Sequence, residues 1–201
     1  MNKTALATLF AAMSLVASTA SAQLITFDDL ADNGTGTAIN YGYAGLNWDS
    51  FDVLNTTNFI ASHLVNGFVN GAVSGNNVAY NDGANPATIS SATGFNIVDA
   101  NFAGAWNDGL QIDAIAFSNT TFYSTTFTVN STGPTDIVFN WNNITSVTFS
   151  SSGGTDAGYG PYSKQFVMDN LTISTTPIPA ALWLVGSALA GLLGFVRRTH
   201  F

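Results

Sequence analysis

The sequence predicts an all-β, antiparallel β-sandwich, and three observations carry that expectation. From Gln23 to Thr176, short runs rich in Ile, Val, Phe, Thr and Tyr are punctuated by Gly, Asn, Ser and Thr. No stretch in that region keeps a helical period over three turns. The runs follow one another without helices between them, which favours packed antiparallel sheets over an alternating α/β arrangement.

In order, Leu24 to Phe27 forms a first short strand ending at Asp28-Asp29, and a loop with Asn33-Gly34-Thr35-Gly36 follows. Gly45 to Leu54 reads as one strand, with Leu46, Trp48 and Ser50 on one face and Asp49, Phe51 and Val53 on the other. Asn55 to Pro86 is Asn- and Gly-rich and is expected to be largely loop, with weak strands near Phe59-Ile60, Phe68-Val69 and Val78 to Tyr80. Thr88 to Ser90 and Gly94 to Val98 read as short strands, and Ala103 to Gly109 as a turn carrying an exposed Trp106. Leu110 to Phe117 and Thr121 to Asn130 form a hairpin around Ser118-Asn119-Thr120. Asp136 to Trp141 and Ile144 to Phe149 are the next strands, a Ser150 to Gly154 loop follows, and Lys164 to Ser174 closes the fold.

The two ends read differently. Lys3, an apolar run from Ala5 to Val16 and the small residues Ala20-Ser21-Ala22 form a signal-peptide pattern over residues 1–22, with cleavage between Ala22 and Gln23. At the other end, residues 177–201 open with two prolines and continue as an uncharged apolar run over 178–196. As a helix, that run spans roughly 28 Å, about the thickness of a bilayer's hydrocarbon core. Arg197 and Arg198 follow it and mark the cytoplasmic side. The expectation is a domain over residues 23–176 that is exported and held at the inner membrane by its C-terminal helix.

All twelve acidic residues are aspartates of this domain, and Lys164 is its one basic residue, a formal charge of −11. Such a surface repels nucleic acid and anionic lipid. The chain has no cysteine, so disulfides and thiolate metal sites are excluded. No HExxH, GxSxG or phosphate-binding glycine loop occurs, and His63 is the domain's lone histidine, so the expectation is a non-enzyme. An Asp–Asp glycosidase pair is the remaining catalytic alternative.

Two places invite a ligand. Asp169 shares strand parity with Val167, Leu171 and Ile173, which puts a carboxylate on a core face. A carboxylate buried there needs hydrogen bonds or a metal. Calcium, with Asp28 and Asp29 contributing if the termini lie together, is one reading; a loop-capping carboxylate is the other. Trp106, among Gly and Asn, is either a sugar-stacking platform or a plain loop residue.

The C-terminal Pro177-Ile178-Pro179-Ala180-Ala181, the single apolar helix and the terminal arginine pair resemble the PEP-CTERM sorting signal, in its Pro-Leu-Pro-Ala-Ala form. The resemblance covers about 25 residues and departs from the literal Pro-Glu-Pro. It implies processing by an exosortase-type membrane enzyme of a Gram-negative bacterium, then display on the cell surface or in an extracellular polysaccharide matrix. Phe27 to Leu30 and Phe166 to Leu171 are similar to pieces of the jelly-roll domains common among such substrates. They imply a fold akin to carbohydrate-binding modules, in which Asp on the terminal strands can hold a structural calcium. The expected role is structural or adhesive in exopolysaccharide or biofilm, with calcium-dependent carbohydrate binding as the alternative.

Overall fold

The computed structural model describes residues 21–60, 65–118, 120–159 and 164–175, the side chains of Ile60 and Thr175 excepted. The expected signal peptide before Ser21, the sorting motif and the membrane segment lie outside the described residues, as does His63. Among the described residues no helix is long and apolar enough to cross a membrane.

Among the described residues, alternating apolar positions form ten strands, all paired antiparallel. They are β1 (Ala22–Ile25), β2 (Thr37–Ala38), β3 (Asn47–Asp49), β4 (Phe51–Asn55), β5 (Asn77–Asn81), β6 (Ala87–Gly104), β7 (Asn107–Phe117), β8 (Phe122–Val129), β9 (Thr135–Asp156) and β10 (Phe166–Thr175). Two short helices, α1 (Thr56–Ile60) and α2 (Gly67–Asn70), lie between β4 and β5. Strands β6 and β9 are long and bent, and they pair with each other along both halves. The first half of β6 and the second half of β9 join β3, β7 and β8 in one layer. The second half of β6 continues through β10 and β5 to β4 and β2, with β1 also on β10.

Rings from the two layers meet in the core, edge-on or tilted. Phe149 of β9 lies 6.4 Å from Phe51, 5.3 Å from Phe102 and 6.1 Å from Phe166. This apolar centre is the main source of stability in a chain without disulfides. The fold is therefore an all-β antiparallel sandwich, as the sequence predicts.

Details of strand parity depart from the expectation, and each departure has a backbone cause. Gly45 to Leu54 is two strands, because Ser50 sits at φ 58° and reverses the alternation. Trp48 and Phe51 thus both face the core, three residues apart. The two short strands expected at Thr88 to Ser90 and Gly94 to Val98 are one bent strand, and so are Asp136 to Trp141 and Ile144 to Phe149. The expected Ser150 to Gly154 loop is part of β9. The weak strands expected at Phe59-Ile60 and Phe68-Val69 are helical, while Val78 to Tyr80 is the strand expected there.

Asp169 is buried, yet it faces away from the main core. Phe166 and Met168 point inward, whereas Val167 joins a second apolar cluster on the outside of the sheet. Asn170 at φ 51° then flips parity, so that Leu171 and Ile173 return to the core. Counting residues along an unbroken strand misassigns the face.

Candidate functional site

The second apolar cluster is where the candidate site forms. Leu54, Val78, Tyr80, Ala103 and Val167 project from the outer face of β4, β5, β6 and β10, and Phe59 and Phe68 from the helices cover them. Helix α2 begins at Asn66, whose side chain accepts from the Phe68 amide at 3.1 Å. Phe68 then stands at the centre of a ring cluster, 5.2 Å from Tyr80, 5.5 Å from Trp106 and 5.6 Å from Phe59. The first two contacts are edge-on, the favoured arrangement of two quadrupoles.

Trp106 is half-buried at the bend between β6 and β7 rather than exposed on a turn. Its indole Nε1 donates to Gln165 Oε1 at 2.9 Å, and Gln165 Nε2 donates to the Asn81 carbonyl at 3.3 Å. The ring is therefore held in place. It walls a cleft of about 340 Å³ together with Gly34, Thr35, Leu54, Phe59, Phe68, Tyr80 and Gln165. That size and a largely apolar wall with a few polar groups are the usual make-up of a small-ligand site. The Tyr80 hydroxyl donates to Asp52 Oδ2 at 3.2 Å. Burial, then the Asp52 charge, pushes the Tyr80 phenol far above its usual range, so it stays a neutral donor.

The aspartates singled out by the sequence do different work from one another. Asp169 Oδ2 accepts from the Val73 and Ser74 amides at 2.7 and 2.9 Å, and its Oδ1 from the Asn170 amide at 2.7 Å. Asp28 Oδ1 accepts from the Asn76 and Asn77 amides at 2.8 and 3.0 Å. The two carboxylates thus clamp the loop between α2 and β5 from both ends. Gly75 lies in the middle of that loop at φ 50°, where a side chain would run into the Asp28 carboxyl. Asp29 is elsewhere occupied, accepting from the Tyr43 hydroxyl at 2.7 Å beside a cleft of about 480 Å³. The first and last strands do lie together, since β1 pairs with β10. Hydrogen bonds account for the burial of Asp169, and among the described residues no group of three His, Cys, Asp or Glu side chains is gathered to hold a metal.

Burial raises the Asp169 carboxyl above the ordinary 3.8; the Ser74, Val73 and Asn170 amides oppose the rise and the Asp28 charge adds to it. Burial and then the Asp82 charge raise Asp52 in the same sense. A carboxyl raised on folding binds its proton more tightly in the folded chain than in the unfolded one. Stability therefore falls as pH rises through the raised values and is regained as pH falls toward 3.8. Asp108 is lowered by the Ser131 amide and hydroxyl, and its contribution is lost only as pH falls below 3.8. The expected result is an unfolding midpoint that falls as pH rises from 3.8 through the raised Asp52 and Asp169 range, read by circular dichroism. A midpoint that rises over that interval contradicts the assignment.

No family model matches the chain, and no curated protein matches it. Several solved structures are similar in fold, two of them as follows. One is TmCBM61 in complex with beta-1,4-galactotriose, at 11% identity and a TM-score of 0.39, covering 65% of this chain and 87% of that one. The other is the N-terminal CBM22-1-CBM22-2 tandem domain from Paenibacillus barcinonensis Xyn10C, at 11% identity and a TM-score of 0.41, covering 81% of this chain and 48% of that one. The chain thus spans about half of that tandem domain. At these values the site rests on its own geometry.

Proposed function

We propose that the domain is a non-catalytic glycan-binding module whose ligand site is the Trp106 cleft. The observation that carries this reading is the indole itself, fixed by Gln165 and half-open along a ring-lined cleft. A sugar ring offers an apolar face of carbon–hydrogen bonds to such a surface and hydroxyls to its polar rim. Thr35, Gln165 and the Tyr80–Asp52 pair supply that rim. With eleven net negative charges on the domain, the ligand is a neutral glycan rather than a uronic-acid or sulfated one.

Trp106→Ala is expected to weaken binding to the recognised neutral glycan roughly tenfold or more, since stacking plus ring burial is worth ~1–2 kcal/mol. Trp106→Phe keeps a ring against Phe68 and is expected to retain part of the affinity. A glycan array followed by calorimetry on the folded variants reads both. Unchanged affinity in Trp106→Ala would overturn the proposal.

The jelly-roll likeness, export and sorting by an exosortase-type enzyme at Pro177 to Ala181 extend the same reading, supported by the terminal motifs. On it, the module is delivered to the polysaccharide outside a Gram-negative cell, where binding gives it an adhesive role. A calcium-dependent form, with Asp28, Asp29 and Asp169 as ligands, requires the ion to draw carboxylates from their present partners.

A further inference from the structure

One rim of the sandwich can be followed from strand to strand through the ladders. Ala22 pairs with Ser174, Thr175 pairs with Phe95, and Phe95 pairs with Ile144. Thr145 Oγ1 donates to the Phe117 carbonyl at 3.1 Å, Ser146 pairs with Phe117, and Phe117 pairs with Phe122 across the hairpin. Asn96 ties the rim together, its Nδ2 donating to Ser174 Oγ at 2.9 Å and its Oδ1 accepting from the Asn143 amide at 2.7 Å.

Three properties coincide there. Residues 91–97, 115–124, 141–148 and 171–175, which supply this rim, contain no charged residue, although the domain holds twelve aspartates. Phe117 and Phe122 are 52% and 56% exposed with ring centroids 5.6 Å apart, and Ile115 on the same face is 37% exposed. Strand β10 ends at this rim, and only Thr176 and Pro177 separate it from the apolar run over 178–196, a reach of roughly 10 Å at full extension.

We infer that this uncharged rim, led by the Phe117–Phe122 pair, docks on the outer surface of a zwitterionic lipid bilayer. The inference rests on the reading of 178–196 as a membrane segment. Its occupant follows from where the chain goes and from charge. A domain with eleven net negative charges approaches a bilayer at least cost through an end that has none to desolvate. Exposed phenylalanines lie naturally at the boundary of headgroups and acyl chains, and the surrounding Ser, Thr and Asn match the headgroup level.

The absence of cysteine makes the test direct. The full chain carries an environment-sensitive dye at Thr121→Cys, beside the intact Phe pair, or at Thr135→Cys, which pairs with Phe102 far along β6. Each is reconstituted in phosphatidylcholine vesicles and floated. Expected is blue-shifted emission at position 121, with roughly half its intensity quenched by lipid nitroxides placed ~5–10 Å deep, and no quenching at 135. A chain that floats with a water-exposed dye at 121 overturns the inference and leaves membrane anchoring standing. Equal quenching at both positions means the domain lies on its side, which also overturns it. A shift without vesicles that grows with protein concentration assigns the rim to a second copy instead. A chain that does not float removes the membrane reading and the inference with it.

Discussion

Replacing Asp169 with alanine is expected to cost the domain about 3–5 kcal/mol and lower its unfolding midpoint by on the order of 10 °C. The carboxylate accepts three backbone amides from Val73, Ser74 and Asn170 at a fully buried position. Alanine leaves those donors without acceptors, and each buried orphan costs about 1–3 kcal/mol, less where water enters the opened space. Asp169→Asn keeps an acceptor oxygen but turns an NH₂ toward a donor, so roughly half the loss is expected. The hydrogen-bond reading predicts the same loss with and without millimolar calcium, in urea unfolding of wild type and variants. A wild-type midpoint that rises with calcium, and an Asp169→Ala midpoint that does not, would establish the ion instead.

The burial of Asp169 was legible in the sequence, but the face it occupies was not. Alternation along Val167, Asp169, Leu171 and Ile173 identifies an apolar environment, and the residue is indeed buried. Parity assumes an unbroken strand, however, and the left-handed Asn170 resets it. Asn and Ser adopt that conformation at modest cost, so in a chain rich in both, the resets at Ser50, Asn143 and Asn170 carry no distinctive mark. Strands interrupted only by bends are under-read for a related reason: Ser91 to Gly94 looks like a turn yet lies within β6.

The candidate site was legible only at Trp106. Two of its other walls, Phe59 and Phe68, come from α1 and α2, which are five and four residues long and too short to show a helical period. Their residues Phe59 and Phe68 read as weak strands. What brings them onto Trp106 is tertiary packing across some forty residues of sequence, which spacing alone does not report. The capping Asn66 was the available signal for α2, and in a region crowded with asparagine it does not stand out.

Gly67→Ala is expected to remove about 2–3 kcal/mol of stability and most glycan affinity together, although residue 67 lines no part of the cleft. Helix α2 meets β6 backbone to backbone at this point, where the Gly67 amide donates to the Ala105 carbonyl at 3.0 Å. A methyl group there would overlap the Gly104 carbonyl oxygen. Backbone on both sides cannot rotate aside, so α2 must lift from the sheet. Phe68 is the next residue and touches Phe59, Tyr80 and Trp106, so the lift reaches the floor of the cleft. Gly133→Ala provides the control, since open space surrounds that position and its backbone has no left-handed φ. Melting curves and glycan titrations of the two variants separate the outcomes. Full affinity in a destabilised Gly67→Ala would place the ligand away from the Phe68 cluster, because a displaced α2 leaves no wall unchanged there.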